Sequence, residues 1–440
     1  MNRKFNVCLL NDSFPPLIDG VANAVLNYAE IIEEKYGKAI VTTPAHPNAK
    51  DDYPFEVVRY WSMDTPSKKL EYRAGNPFLI STLKKLEKYD IDIIHSHCPI
   101  ASTLLARSLR EVIDAPLIFT YHTKFDIEVK KLFDSKPMQA AVLKFIAENI
   151  SSCDDVWVVS EGAGENLRSL GYKGDYTVMD NGVDFPKGRA SKELQESVID
   201  EHKLDMRFPV FLFVGRMMWY KGIRIILDGL KILKQAGFVF TMLFVGGSPE
   251  LDEIKEYAKN CGIEDYCIFV GPVRDRERLR AYFSLSDLFL FPSTYDTNGI
   301  VVREAAACGL ASVIIKGSCA AENITDGQNG ILIEENAPSL AKALKDACNH
   351  RDKIKQIGEN AMNEIYISWD DAVAKAVERY GVVSENYHSG AKKYIPNVKD
   401  SLFYIIDDLY RDWDAISKLG LSVKAQGLKM YEAMMKYFKD

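Results

Sequence analysis

Short apolar runs alternate with helix-patterned stretches along most of this 440-residue chain, and they do so in two successive series. The first series predicts strands at 6–10, 38–43, 55–60, 91–95, 117–121 and 155–160. Helices fall between them at 21–34, 77–88, 100–111 and 137–150. The second predicts strands at 209–215, 241–245, 267–270, 288–291 and 311–315, with a helix at 222–236. Strands interleaved with helices imply βαβ crossovers and a parallel sheet covered on both faces. The expected class is therefore α/β, with two Rossmann-like doubly wound domains at 1–186 and 206–367. A charged stretch at 187–205 reads as their linker. A helix at 368–384 is expected to cross back to the first domain. Further on, Leu402, Ile405, Ile406, Leu409, Trp413 and Ile416 recur at helical spacing, Gly420 interrupts, and Leu428, Tyr431, Met434, Met435 and Phe438 continue. This predicts a helical hairpin at 394–440 whose apolar stripe packs on the first domain.

The length calls for two cores with an appendage. Apolar residues at 47% with 27% charged describe a soluble globular chain, and a net charge of −7 argues against a nucleic-acid surface. No apolar run approaches membrane-spanning length, and the segment after Arg3 and Lys4 is too short for a signal peptide. Eight irregularly spaced cysteines without a C-x-x-C pair suggest reduced thiols of a cytoplasmic protein.

In doubly wound sheets ligands sit beyond the carboxyl ends of strands, so residues just after predicted strands are the candidates. The richest stretch is FPSTYDTNGIVVREAAACGL at 291–310. It carries Asp296, Gly299 and then Glu304 on an Ala-rich helix. Unpaired amides at Asn298, Gly299 and Ile300 would favour a phosphate group. Asp296 would accept from sugar hydroxyls, and Glu304, about 7 Å along the helix, would reach a ribose. After the strand at 209–215 come Arg216 and Lys221, a fork and a point charge suited to a diphosphate. Gly20 precedes a helix and would let backbone amides approach a phosphate or sugar. His122 ends another strand and could hydrogen-bond a sugar or the reacting oxygen, or be a satisfied structural histidine. His95 and His97, two apart, lack the third ligand that a zinc site needs.

These pieces occur in order as SFPPLIDGVA, DIIHSHCP, TYHT, VVSEG, MDNGVD, VGRMMWYKG, LFVGGSPEL, IFVGPV, LSDLFLFPS, YDTNGIVVREAAACG and ITDGQNGILI. As a set, from about residue 6 to 335, the chain resembles the retaining glycosyltransferases of family 4, with their GT-B architecture. Ser368 and Trp369 resemble the start of the family's closing helix. The resemblance implies that Arg216 and Lys221 neutralise the leaving diphosphate. Asp296 and Glu304 would occupy the two positions of the E-x7-E motif, facing the donor sugar and the ribose. Gly20 would approach the donor phosphate, and His122 the transferred sugar. The backbone of Asn298, Gly299 and Ile300 would hold phosphate or sugar oxygens. No cofactor or metal is implied, because cations and the helix dipole act at the leaving group.

The first motif position holds Asp296 where the family generally has Glu, one methylene longer, which bears on donor identity. The TYHTKF stretch is similar to the bacterial branch that glucosylates diacylglycerol. The expected partners are a nucleotide-sugar donor, UDP-glucose, and a hydroxyl acceptor that is either a membrane lipid or soluble. Basic residues at Lys68, Lys69, Arg73, Lys84, Lys85 and Lys88, and at Lys130, Lys131 and Lys136 beside Phe125, Phe133 and Met138, would suit a peripheral membrane contact. Leu79, Leu83 and Leu86 also fit an ordinary core stripe with those lysines as its wet face. An epimerase, a phosphorylase and an inactive nucleotide-sugar sensor share the expected architecture.

Overall fold

The computed structural model describes residues 4–17, 19–65, 72–394, 400 and 403. The chain forms two compact units. One takes in the described residues up to Val159, then Ala163–Met179, and those from Ala372 onward; the other comprises Ser160–Gly162 and Asp180–Asp371.

The first unit carries β1 (Phe5–Leu10), β2 (Gly37–Pro44), β3 (Glu56–Tyr60), β4 (Ser62–Asp64), β5 (Arg73–Gly75), β6 (Ile93–Ser96), β7 (Leu117–Tyr121), β8 (Asp155–Val158) and β9 (Thr177–Val178). Seven of these form one sheet in the order β3-β2-β1-β6-β7-β8-β9, and β4 and β5 form a separate antiparallel pair. Every pairing in the large sheet is parallel. The chain builds outward from β1 and then returns to its other side at β6, so the switch point lies between those strands. Helix Gly20–Ile31 begins where the Asp19 carboxylate accepts from the amides of Val21 and Ala22, both at 2.8 Å. Such a cap satisfies two of the four orphan donors at a helix start.

The helix Trp369–His388 contributes its residues from Ala372 to this unit. Tyr380 stacks on Trp157 with ring centroids 5.4 Å apart, and Arg379 grips the buried Asp155 carboxylate with two bonds of 2.8 and 2.9 Å. The Asp155 carboxyl is held below its ordinary pKa: burial acts to raise it, but Arg379, Lys392 and the Trp157 N–H outweigh that. The helix runs four residues beyond the expected end at Ser384. The hairpin expected at 394–440 lies outside the described residues, apart from Tyr394, Asp400 and Phe403.

The second unit carries β10 (Val210–Val214), β11 (Thr241–Val245), β12 (Cys267–Gly271), β13 (Leu288–Phe291), β14 (Ser312–Ile315) and β15 (Ile331–Ile333). Their order, β12-β11-β10-β13-β14-β15, is again all parallel and reverses once, between β10 and β13. The unbroken run Leu288, Phe289, Leu290, Phe291 is buried throughout, as a central parallel strand with both faces covered requires. All eight cysteines are free thiols.

The stretch expected to be a linker at 187–205 is folded. Helix Lys192–His202 starts at Ser191, whose hydroxyl accepts from the Leu194 amide, and it packs on helix Arg276–Leu285. Val198 is buried in the core of the unit, and His202 Nε2 lies 2.7 Å from the Tyr282 hydroxyl. The charge density that suggested a linker is the wet face of an amphipathic helix whose apolar stripe is only Leu194, Val198 and Ile199. Val198→Asp should therefore place an unpaired charge in the core and cost roughly 3–5 kcal/mol. Urea unfolding followed by tryptophan fluorescence checks this; a linker position would leave the midpoint unchanged.

Candidate active site at the strand switch points

In the second unit the loops after β10 and β13 meet at the switch point. Gly222 closes the 3-10 turn Trp219–Lys221 at φ +77°, and a Cβ there would fall 1.9 Å from the Pro292 carbonyl oxygen. Only glycine allows both the left-handed backbone and this approach. The contact brings Lys221 against the loop after β13, where its Nζ lies 2.6 Å from Asp296 Oδ1. The other oxygen, Asp296 Oδ2, accepts from the Ser293 hydroxyl at 2.7 Å. Lys221 is buried, with its ammonium 5.6 to 5.8 Å from the ring centroids of Tyr295, Tyr220 and Phe291. Aromatic faces and one carboxylate thus hold the cation in place.

Helix Ile300–Ala307 starts at Gly299, which adopts φ +63° and supplies no side-chain cap. Asp296 lies ahead of the helix, in the turn after β13. Glu304, in the second turn, is buried and accepts from Arg276 Nη2 at 2.6 Å. Burial pushes its carboxyl above the ordinary pKa, and Arg276 opposes this. Arg276 also lies 3.4 Å from Asp184 and over the Phe185 ring.

Of the residues expected to act together, Lys221 and Asp296 are in direct contact, and Glu304 is engaged by Arg276. Arg216 stands exposed at the end of β10. Sequence reasoning missed Arg276, although its place five residues after β12 put it at a strand carboxyl end. It also missed Glu322, whose two carboxylate oxygens accept from the amides of Glu161 and Gly162 at 2.7 and 2.6 Å.

In the first unit, the Asp12 carboxylate after β1 occupies the N-terminus of helix Ala101–Val112. It accepts from the amides of Ala101 and Ser102, the Ser102 hydroxyl and the Cys98 thiol. Burial raises its pKa, and these bonds pull it back. A Cβ on Gly20 would meet nothing within 4 Å, so the fold of this chain does not itself demand glycine there. His122 follows β7, is buried, and has its Nε2 3.0 Å from His97 Nδ1. Burial lowers its pKa from 6.5 to about 4, opposed by Asp19, so it is neutral at physiological pH. His95 lies 2.7 Å from Tyr380 Oη at Nδ1 and 2.7 Å from Thr120 Oγ1 at Nε2.

Two family models cover these units in sequence: Glycosyltransferase Family 4 over residues 18–186 and Glycosyl transferases group 1 over 195–364. The chain is a family 4 glycosyltransferase. It is 26% identical over 350 residues to the alpha-monoglucosyldiacylglycerol synthase of Streptococcus pneumoniae, covering 77% of each chain. It is 25% identical over 400 residues to a GDP-mannose-dependent alpha-mannosyltransferase of Corynebacterium glutamicum, covering 87% of this chain and 90% of that protein. Among solved structures it superposes on sucrose-phosphate synthase from Thermosynechococcus elongatus with a TM-score of 0.69 at 20% identity, covering 86% of this chain and 99% of that one. Both units of this glycosyltransferase have the Rossmann-like sheets of the GT-B fold, and nucleotide sugars are its donor class.

The buried imidazoles give the stability of the first unit a defined pH dependence. His122, with a folded pKa near 4 against 6.5 when unfolded, binds its proton more readily in the unfolded chain. His95 and His97 are displaced in the same direction, both by burial and by His122, and His97 also by His95. Stability is therefore complete above about pH 6.5 and falls as the pH drops towards 4. Urea midpoints across this range should decline with acidity, and less steeply in His122→Gln.

Proposed function

We propose that the enzyme transfers glucose from UDP-glucose to the hydroxyl of a diacylglycerol-type lipid, with retention at the anomeric carbon. The observation that carries the reading is the contact of Lys221 with Asp296 at the switch point of the second unit. In this reading the donor's diphosphate takes the ammonium of Lys221, together with Arg216 and the amides of Asn298, Gly299 and Ile300. Asp296, released from Lys221, accepts from a hydroxyl of the donor sugar. Glu304, fixed by Arg276, accepts from the ribose. Gly20 and His122 of the first unit serve the donor phosphate and the transferred sugar.

The bond between the anomeric carbon and the diphosphate oxygen breaks while the acceptor oxygen attacks from the same face. The leaving phosphate takes the acceptor's proton, and no cofactor or metal is required. Positive charge positioned at the leaving oxygen supplies the stabilisation. Trapping of a covalent glycosyl-enzyme would refute this route.

Similarity to a monoglucosyldiacylglycerol synthase supports the lipid acceptor. So do the exposed Leu132 and Met138, which lie beside Lys130, Lys131 and Lys136 in the first unit and suit a peripheral contact with an anionic membrane on its cytoplasmic face. Likeness to a GDP-mannose-dependent enzyme favours a second reading, in which the donor is GDP-mannose. The shorter Asp296 at the sugar-facing position is where the two donors would be distinguished.

The purified enzyme should release UDP from UDP-glucose, faster with diacylglycerol vesicles, and should leave UDP-galactose, UDP-N-acetylglucosamine, GDP-mannose and ADP-glucose largely untouched. Lys221→Ala should lower kcat by roughly 10²–10³-fold. Release from GDP-mannose alone would establish the second reading, and release indifferent to vesicles would make the acceptor soluble. Binding of donors without release from any of them would overturn the enzyme's proposed role.

A further inference from the structure

His95, His97 and His122 form a row of buried imidazoles in the first unit, with ring centroids 4.1 Å apart for the first pair and 5.2 Å for the second. The proposed transfer assigns a task to His122 alone. We propose that His97 is a positioning residue, which donates from Nδ1 to His122 Nε2 and thereby fixes the His122 proton on Nδ1.

The 3.0 Å contact between His97 Nδ1 and His122 Nε2 requires one nitrogen to carry a hydrogen and the other to accept it. Doubly protonated rings are excluded, because burial pulls both far below their ordinary range. Two arrangements remain, and the far nitrogen of His97 decides between them. His97 Nε2 is buried and has no hydrogen-bond partner among the described residues. If His122 were the donor, His97 would have to hold its proton on Nε2, leaving a buried N–H unpaired. If His97 is the donor, Nε2 is left only as an under-used acceptor. Orphaned buried N–H groups are the rarer and costlier defect. The Tyr28 ring, 5.6 Å away and edge-on to His97, offers at most a second-order N–H contact.

His95 does not override this choice. Both of its nitrogens face hydroxyls, of Tyr380 and Thr120, which can donate or accept. The consequence for His122 is specific. Its Nε2 lone pair is taken by His97 and its Nδ1 bears the proton, so it acts as a hydrogen-bond donor and has no lone pair with which to remove a proton. In the proposed transfer, on whose correctness this last step rests, His122 therefore binds a sugar oxygen and leaves the acceptor's proton to the departing phosphate.

Long-range 1H–15N correlation on histidine-labelled full-length protein at pH 7.5 tests the assignment without any ligand. The expected spectrum shows His122 with a protonated Nδ1 and an unprotonated Nε2, and His97 likewise. A proton on His122 Nε2 overturns the proposal. In His97→Leu the single His122 tautomer should be lost, and kcat with UDP-glucose should fall about tenfold, the worth of one hydrogen bond, with KM little changed. His97→Asn, whose side-chain amide keeps a donor at the Nδ1 position, should restore both tautomer and rate. An unchanged His122 signal or unchanged kcat in a folded His97→Leu protein would defeat the positioning role. If that variant does not fold, the wild-type and His97→Asn spectra still decide. Absence of turnover by the wild-type enzyme would defeat the proposed transfer while leaving the tautomer to be read from the spectrum.

Discussion

The approach of the Gly222 backbone to the Pro292 carbonyl is the constraint on which the second unit's chemistry depends. Two loops that leave neighbouring strands at a switch point normally diverge, one to each face of the sheet. Here a left-handed glycine turns the first loop back on the second, and Lys221 reaches Asp296 as a result. Three aromatic rings then confine the ammonium. Any side chain at position 222 would meet the carbonyl and separate the pair, so the electrostatics of the site rest on an absent methyl group.

A similar economy governs the first unit. Its switch point is closed by a carboxylate of the chain itself, since Asp12 satisfies the start of helix Ala101–Val112. The unit also buries three imidazoles, held neutral by burial and in contact with one another or with hydroxyls. Trp157 and Tyr380 pack around His95, so the helix Trp369–His388 contributes directly to the surroundings of the row. Packing and protonation state are in this region the same problem.

Most of the architecture was legible because buried parallel strands announce themselves as unbroken apolar runs. The strands at 117–121, 241–245 and 288–291 coincide with β7, β11 and β13. Three-residue strands such as β15, and the β4–β5 pair, are too short to show a period. Helix Lys192–His202 was hidden by its charge, because three apolar residues suffice to bury it. At the site, the residue types and their places after strands were readable. Their partners were not: Arg276 and Glu304 are 28 positions apart, and Lys221 and Asp296 are 75 apart. Those pairings arise only when the sheet assembles. That Lys221 would be buried and Arg216 exposed depended equally on the loop geometry.

The pairing of Lys221 divides labour between the two cations in a way that distance makes explicit. A cation 2.6 Å from a carboxylate presents a dipole to its surroundings, and the field of a dipole decays faster than that of a charge. Arg216, exposed, keeps a full monopole whose reach is limited only by screening, about 8 Å at physiological ionic strength. On the proposed reading, the donor's diphosphate would be drawn first by Arg216 and would meet Lys221 only when close enough to compete with Asp296. Capture would then be salt-sensitive and indiscriminate and seating short-ranged and selective, with one strand end supplying both.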